Sequence, residues 1–226
     1  IDAGTGVGDL AIAELAQIDH VFITHSHLDH LACMPFMIDT VGDMRNRPLT
    51  VHATEATLEI IRAHIFNWAI WPDFSVIPTP EKPFMRFATI RVGEAIDLDG
   101  RKIVPLPANH TVPAVGYQVD SGQGSLVFTG DTGPCPELWQ YVNQIRNLRY
   151  LIIECAFSNS EMRLAQASLH LCPSMLLDEL TNLQRDAEVF ITHLKPGQIE
   201  LTMQEIEDCI GEFRPGMLQN NQLFEI

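Results

Sequence analysis

Short apolar runs rich in β-branched residues alternate along the chain with longer stretches of helical periodicity. The runs predict strands over residues 21–24, 49–53, 103–106, 115–119, 125–129, 150–154 and 189–192. The helical periodicity predicts helices over residues 29–44, 54–64, 137–147, 173–183 and 202–213. Hairpin-like spacing in the middle of the chain, followed by alternating strands and helices, predicts an α/β (α+β) protein with two mixed β-sheets and helices on their outer faces.

The segment over residues 64–83 follows neither period. It contains Phe66, Trp68, Trp71 and Phe74 together with four prolines, and we predict a long loop or lid. Its aromatic side chains have two interpretations: they stack on a nucleic-acid base, or they pack on one another as a lid or an oligomer contact. We assign none of them to the functional site.

Composition narrows the function classes. The 226 residues carry a formal charge of −15, with 14 basic residues against 29 acidic ones, so we expect no long nucleic acid as a partner. We predict a single domain over residues 1–226. No apolar run is long enough for a membrane span, and no secretory signal is visible. The odd number of scattered cysteines, five, argues against a disulfide framework and favours the cytoplasm.

The strongest chemical signal is the run Thr24-His25-Ser26-His27-Leu28-Asp29-His30, directly after a predicted strand. His25, His27, Asp29 and His30 concentrate imidazole and carboxylate groups, which are the ligands that Zn²⁺ and similar ions use. The alternative is a solvated polar turn with coincidental histidines. The density of ligands favours a metal site.

Three later residues also follow predicted strands or turns. His110 comes after the strand near Val104, Asp131 lies between Gly130 and Gly133, and His193 ends the strand over residues 189–192. Taken singly, each has a structural interpretation as a capping or core residue. Together they predict a site built along one edge of a sheet.

These motifs resemble the metallo-β-lactamase superfamily of binuclear metal hydrolases. The resemblance spans nearly the whole chain and implies a four-layer αββα sandwich, the metallo-β-lactamase fold. It implies that His25, His27 and His110 bind one metal ion, that Asp29, His30 and His193 bind the other, and that Asp131 bridges them. The opening run Ile1-Asp2-Ala3-Gly4 resembles the end of an early strand of that fold, so we expect the N-terminal strand to be missing.

Two further residues narrow the reaction. Glu154 ends a predicted strand and His170 precedes a predicted helix. They resemble the acid pair of the phosphodiesterase branch. A carboxylate fixes the tautomer of a histidine beside it, and such a histidine suits protonation of a leaving alkoxide. The runs over residues 129–134, 147–154 and 191–197 resemble bacterial 3′,5′-cyclic-nucleotide phosphodiesterases. The glycine- and proline-rich basic arm of the transfer-RNA 3′-processing endonucleases has no counterpart here.

We therefore predict a phosphodiesterase that hydrolyses 3′,5′-cyclic nucleotides, with cyclic AMP as the first candidate, to 5′-monophosphates. Two divalent ions, Zn²⁺ or alternatively Mn²⁺ or Fe²⁺, would share a bridging hydroxide. His170, oriented by Glu154, would protonate the leaving oxygen, and Asp29 is an alternative proton acceptor. A transfer-RNA-processing endonuclease, an ester, thioester or lactone hydrolase, and a non-enzymatic binding module remain alternatives. We expect a small-molecule partner and no membrane partner. A homodimer is one possible oligomeric state.

Overall fold

The computed structural model describes residues 1–209 and 213–226. The chain forms two compact units, Ile1–Arg91 and Val92–Ile226, and each is described by itself. The end of the helix predicted over residues 202–213 falls partly on residues 210–212, outside the described part of the chain. The single-domain organisation over residues 1–226 stays a prediction.

The first unit contains a parallel three-stranded sheet in the order β1-β2-β5. Its strands are β1 (His20–Phe22), β2 (Leu49–Ala53) and β5 (Met85–Thr89), and a small hairpin joins β3 (Pro78–Thr79) to β4 (Lys82–Pro83). The helices are α1 (Ile12–Leu15), α2 (Leu28–Leu31), α3 (Met34–Val41) and α4 (Glu55–His64). Crossovers through helices make all neighbours in this sheet parallel, whereas the sequence predicted two mixed sheets.

The prediction of one continuous helix over residues 29–44 is wrong. The segment instead contains α2, α3 and a 3₁₀ turn over Gly42–Met44. Pro35 lies in the first turn of α3, where a proline is tolerated because the N–H group that it lacks has no helical partner there. The helix therefore begins again at Met34, and the ligand-rich run keeps a short helix of its own.

The segment over residues 64–83, predicted as a long loop or lid, is only in part a loop, because it contains the hairpin of β3 and β4. Phe66 and Phe74 are buried in the hydrophobic core of the first unit, with Leu58, Ile61 and Met85. Trp68 is 65% exposed. The aromatic residues of this segment thus divide between core packing and surface display.

The second unit contains a mixed seven-stranded sheet in the order β12-β11-β10-β9-β8-β7-β6. Its strands are β6 (Ile96–Leu98), β7 (Arg101–Pro107), β8 (Val115–Asp120), β9 (Ser125–Phe128), β10 (Leu148–Glu154), β11 (Glu188–Thr192) and β12 (Gly216–Met217). Strands β6 to β9 are antiparallel neighbours, and β9 to β12 are parallel neighbours. This sheet is mixed, as predicted.

The helices of the second unit are α5 (Pro136–Val142), α6 (Met162–Ser168), α7 (Pro173–Leu180) and α8 (Ile199–Cys209). Leu138, Leu151, Leu176 and Ile206 pack in one hydrophobic core. The strands predicted between residues 103 and 192 are all present. Over residues 1–209 and 213–226, every helix is too short or too polar to cross a membrane.

Candidate metal centre

The predicted ligand run of the first unit lies where β1 ends. Thr24 and His25 are buried, and α2 begins after His27. The Nε2 atom of His25 lies 3.1 Å from Nδ1 of His27. Two nitrogen ligands of a tetrahedral zinc ion lie about 3.3 Å apart, given Zn–N bonds of about 2.05 Å. The spacing of these two nitrogens therefore fits a shared ion.

A relay of hydrogen bonds sets the tautomers of two of these histidines. The Nδ1 atom of His25 donates to Thr24 Oγ1 over 2.9 Å, and Thr24 Oγ1 donates to Asp2 Oδ2 over 2.9 Å. The Nδ1 atom of His30 donates to the same Asp2 oxygen over 2.7 Å. Because both histidines carry their proton on Nδ1, the lone pair of each ring lies on Nε2, which is the nitrogen that binds a metal ion in this tautomer.

Sequence reasoning missed Asp2 and Thr24. Besides the relay, the Thr24 N–H group donates to Asp2 Oδ1 over 2.7 Å. Backbone bonds also fix this segment, because Ala3 N–H donates to the carbonyl of His30 over 2.8 Å. Gly4 packs so closely on Asp29 that a Cβ atom there would lie 1.7 Å from the Asp29 carbonyl oxygen. Only glycine fits at this position. The run Asp2-Ala3-Gly4 therefore packs on the ligand run and holds it in place by hydrogen bonds.

Asp29 and His30 also lie together. The Asp29 Oδ2 atom is 3.7 Å from His30 Nε2, and the Asp29 side chain is 55% exposed whereas that of His30 is 10% exposed. A carboxylate and an imidazole nitrogen at this distance are compatible with one shared cation. All four ligands predicted from the run are therefore grouped in the first unit.

The second unit collects its predicted residues at the ends of parallel strands. Asp131, Glu154 and His193 follow or end β9, β10 and β11, which are neighbours in the sheet. In such sheets the carboxyl ends of the strands meet at one edge, where ligand sites form. The Nδ1 atom of His193 lies 3.1 Å from Asp131 Oδ1. Potential ligand atoms of His110, Asp131 and His170 all lie within 4.8 Å of one another.

Hydrogen bonds hold His110 against these residues. Its Nδ1 atom donates to the carbonyl of Leu169 over 3.1 Å. The neighbouring Asn109 N–H donates to Thr132 Oγ1 over 2.9 Å, and Leu169 adopts the left-handed conformation with φ 52°. A non-glycine residue in that conformation stores strain that the surroundings must hold. The loop of His110 and the turn of Asp131 are thus fixed to one another.

Glu154 and His170 form the buried pair that the sequence predicts. Glu154 Oε1 accepts from Nδ1 of His170 over 2.7 Å and from the Thr132 N–H over 2.7 Å, and Oε2 accepts from the Leu171 N–H over 3.2 Å. Burial raises the pKa of the Glu154 carboxyl, and the bond from His170 works in the opposite direction. The His170 ring stacks on His193 with centroids 5.1 Å apart and lies edge-on to His110 at 4.9 Å.

Lys195 is a second residue that sequence reasoning missed. Its Nζ atom lies 3.2 Å from His193 Nε2, so a positive charge stands beside the predicted ligands. The motif over residues 191–197 contains this lysine, which is the signal that was available. In each unit, imidazole nitrogens and carboxylate oxygens lie at spacings that suit divalent cations, so the donor sets fit the metal ions that the fold implies. Which residues bind which ion stays a prediction.

Comparison with known proteins supports the fold. A family model described as "Beta-lactamase superfamily domain" matches residues 1–198. The crystal structure of unliganded yeast PDE1 superposes with a TM-score of 0.78 at 22% sequence identity, over 90% of this chain and 67% of that one. The predicted metallo-β-lactamase fold is confirmed.

Two curated relatives match more than half of the chain. A probable 3′,5′-cyclic-nucleotide phosphodiesterase of Yersinia pestis is 25% identical over 206 residues, covering 80% of this chain and 58% of its own length. A ribonuclease Z of Mycobacterium bovis is 30% identical over 156 residues, covering 62% of this chain and 54% of its own length. The chain spans little more than half the length of these curated relatives.

Proposed function

Because the chain belongs to the beta-lactamase superfamily domain family, we propose that it is a metal-dependent phosphodiesterase that converts 3′,5′-cyclic nucleotides, cyclic AMP first among them, to 5′-monophosphates. The observation that carries the proposal is the Glu154–His170 pair, whose histidine lies beside His110 and Asp131. The name of the relative from Yersinia pestis points to the same reaction.

The proposed ligand set is the one that the family resemblance implies. His25, His27 and His110 hold one divalent ion, Asp29, His30 and His193 hold the other, and Asp131 serves both. Zn²⁺ suits mixed imidazole and carboxylate ligands, and Mn²⁺ or Fe²⁺ is the alternative. When bound, such ions supply a water of lowered pKa and neutralise the charge that builds up on the phosphate. The hydrogen bonds of Nδ1 in His25 and His30 support this assignment, because they place the lone pair of each ring on Nε2.

The chain's own residues supply the proton. The Glu154 carboxylate holds Nδ1 of His170, so that Nε2 is the nitrogen left for the substrate. As the water oxygen bonds to phosphorus and the bond from phosphorus to the ribose 3′-oxygen breaks, His170 delivers its Nε2 proton to that oxygen. Asp29 is the proposed acceptor of the proton that the attacking water loses. Lys195 places a positive charge where a phosphate oxygen benefits from it.

A transfer-RNA 3′-processing activity is the second candidate, because a ribonuclease Z is among the relatives. The formal charge of −15 disfavours it, since nucleic-acid binding depends on neutralising phosphates with basic residues.

The test compares cyclic AMP, a precursor transfer RNA and p-nitrophenyl acetate as substrates of the zinc-loaded protein, with His170→Ala alongside. We expect turnover of cyclic AMP that largely disappears in the variant. Cleavage of the transfer RNA alone would establish the second candidate. Hydrolysis of the acetate alone, undiminished in His170→Ala, would contradict the phosphodiesterase proposal.

A further inference from the structure

Thr132 contacts two different segments of the second unit. Its side chain is buried. Its backbone N–H donates to Glu154 Oε1 over 2.7 Å, and its Oγ1 atom accepts from the Asn109 N–H over 2.9 Å. One residue therefore bonds both to the buried acid pair and to the loop that carries His110.

The Thr132 hydroxyl uses both its donor and its acceptor function. Its proton goes to the Gly133 carbonyl over 2.8 Å, so a lone pair of the oxygen faces the Asn109 N–H. The two bonds together fix the orientation of the hydroxyl. The position of the Asn109 backbone, directly before His110, depends on that orientation.

Two further bonds join the same loop to the same turn. The Gly133 N–H donates to the Asn109 carbonyl over 2.8 Å, and Asn109 Nδ2 donates to the Pro134 carbonyl over 2.9 Å. With the bond to Thr132, Asn109 is hydrogen-bonded to three consecutive residues of the turn. His110 is the next residue in the chain, so its backbone is held at the turn.

The bonds close a circuit around the candidate proton donor. His110 Nδ1 donates to the Leu169 carbonyl over 3.1 Å, and the next residue, His170, donates from Nδ1 to Glu154 over 2.7 Å. Thr132 is where the circuit returns from Glu154 to the loop of His110. The rings of His110 and His170, with centroids 4.9 Å apart, are therefore held at a defined separation.

We propose that Thr132 is a positioning residue, whose hydroxyl holds the predicted metal ligand His110 at its place beside Asp131 and His170. The inference rests on the proposed function, since it names a residue that assembles the same centre. Because Thr132 is buried, it acts through Asn109 and not on the substrate. Its effect is geometric, and a displacement of about 1 Å in such a centre can lower the rate about 10²-fold.

Three variants isolate the hydroxyl. Thr132→Val keeps the shape of the side chain without the hydroxyl, and Thr132→Ser keeps the hydroxyl without the methyl group. Thr129→Val is the matched control, because Thr129 is also buried and its hydroxyl also donates to the next carbonyl, that of Gly130, over 2.9 Å. Among residues 1–209 and 213–226, no second segment donates to the Thr129 hydroxyl.

The first measurement needs neither metal nor substrate. Nuclear magnetic resonance of the metal-free protein follows exchange of the His110 Nδ1 proton with water, which requires its bond to the Leu169 carbonyl to open. We expect exchange to be roughly tenfold faster in Thr132→Val, because the loop opens locally more often. Thr132→Ser and Thr129→Val should stay within about twofold of the wild type. If Thr132→Val does not fold, Thr132→Ala, which places no methyl group against the Asn109 N–H, takes its place.

Zinc binding and kinetics test the same role in the loaded protein. The zinc affinity of Thr132→Val, measured by competition with a chelator, should fall roughly tenfold. At saturating zinc, its kcat for cyclic AMP should fall roughly tenfold while KM changes less than about twofold, because placement of the reacting groups is lost and substrate binding is not. Thr132→Ser should restore both values.

Two results would overturn the proposal. One is exchange of the His110 Nδ1 proton in Thr132→Val that is no faster than in Thr129→Val. The other is a Thr132→Ser variant as impaired as Thr132→Val, because the methyl group and not the hydroxyl would then be what matters.

Failure of this proposal differs from failure of the proposed function. Faster exchange in Thr132→Val, in a protein that does not turn over cyclic AMP, would leave the positioning role standing and contradict the phosphodiesterase assignment. Turnover of cyclic AMP by the wild type, with exchange and kcat unchanged in Thr132→Val, would do the reverse.

Discussion

Replacing Asp2 with Asn tests how the first unit prepares its histidines for a metal ion. Asp2 accepts from the Thr24 N–H, the Thr24 hydroxyl and Nδ1 of His30. Asparagine has nearly the same shape, and its oxygen can keep the bond from the Thr24 N–H. Its NH₂ group then takes the place of the oxygen that holds the Thr24 hydroxyl and His30.

The consequence for His30 follows from the donor and acceptor groups. Two donors cannot share one hydrogen bond, so Nδ1 of His30 must become an acceptor and its proton must move to Nε2. That atom can then no longer bind a metal ion. Loss of such an outer partner typically lowers metal affinity about 10- to 100-fold. Because the new NH₂ group can donate to the histidine, the free energy of unfolding of the metal-free protein should fall by only about 1 kcal/mol.

The assay is a zinc titration of metal-free protein against a chromophoric chelator, with urea unfolding measured in parallel. Asp9→Asn is the matched control, because Asp9 is an exposed residue of the same unit. If Asp2→Asn binds zinc as tightly as Asp9→Asn does, the relay through Asp2 does not set the tautomer of His30 and this reasoning fails. A large loss of stability without zinc would show a purely structural role.

Three further predictions concern other groups. His170→Ala should reduce turnover of cyclic AMP roughly 10²- to 10⁴-fold with unchanged zinc content in metal analysis; a loss of zinc would make His170 a ligand instead. Burial lowers the pKa of His52 from 6.5 to about 4, so the unfolded chain binds a proton that the folded chain excludes, and stability is lost as the pH falls from 6.5 towards 4. Urea unfolding at pH 7 and pH 5 should show a loss of about 1 kcal/mol, and an equal loss in His52→Asn would contradict it. Glu179→Ala should lower the free energy of unfolding by about 2 kcal/mol, because buried Trp139 Nε1 loses its acceptor at 2.8 Å; exposed Glu137→Ala should change it by less than about 0.5 kcal/mol.

The sequence predicts most of the strands and helices, and it predicts that the site residues lie at strand ends. A histidine or carboxylate at or just after the end of a strand lies at the carboxyl edge of the sheet. Glu154 ends β10, His193 directly follows β11, and Asp131 comes in the turn after β9. The break before α3 also had a signal, since a proline belongs in the first turn of a helix. Glu154 and His170 are 16 positions apart and still form the predicted pair.

Other features depend on contacts that no local pattern contains. Asp2 and Thr24 are 22 positions apart, and their bond forms only because the opening run packs on the end of β1. The strand β5 directly follows the segment over residues 64–83, and its parallel pairing with β2 is a contact that no local pattern contains. The division of the aromatic segment into buried Phe66 and Phe74 and exposed Trp68 likewise reflects the packing of the first core.

The proposed reaction breaks the bond between phosphorus and the ribose 3′-oxygen of a cyclic nucleotide and depends on metal ions. The most direct measurement follows cyclic AMP by ³¹P nuclear magnetic resonance with metal-stripped and with zinc-loaded protein. We expect 5′-AMP as the only product of the zinc-loaded protein, and no product from the metal-stripped protein. Formation of 3′-AMP, an equal rate without metal, or no turnover by the zinc-loaded protein would contradict it.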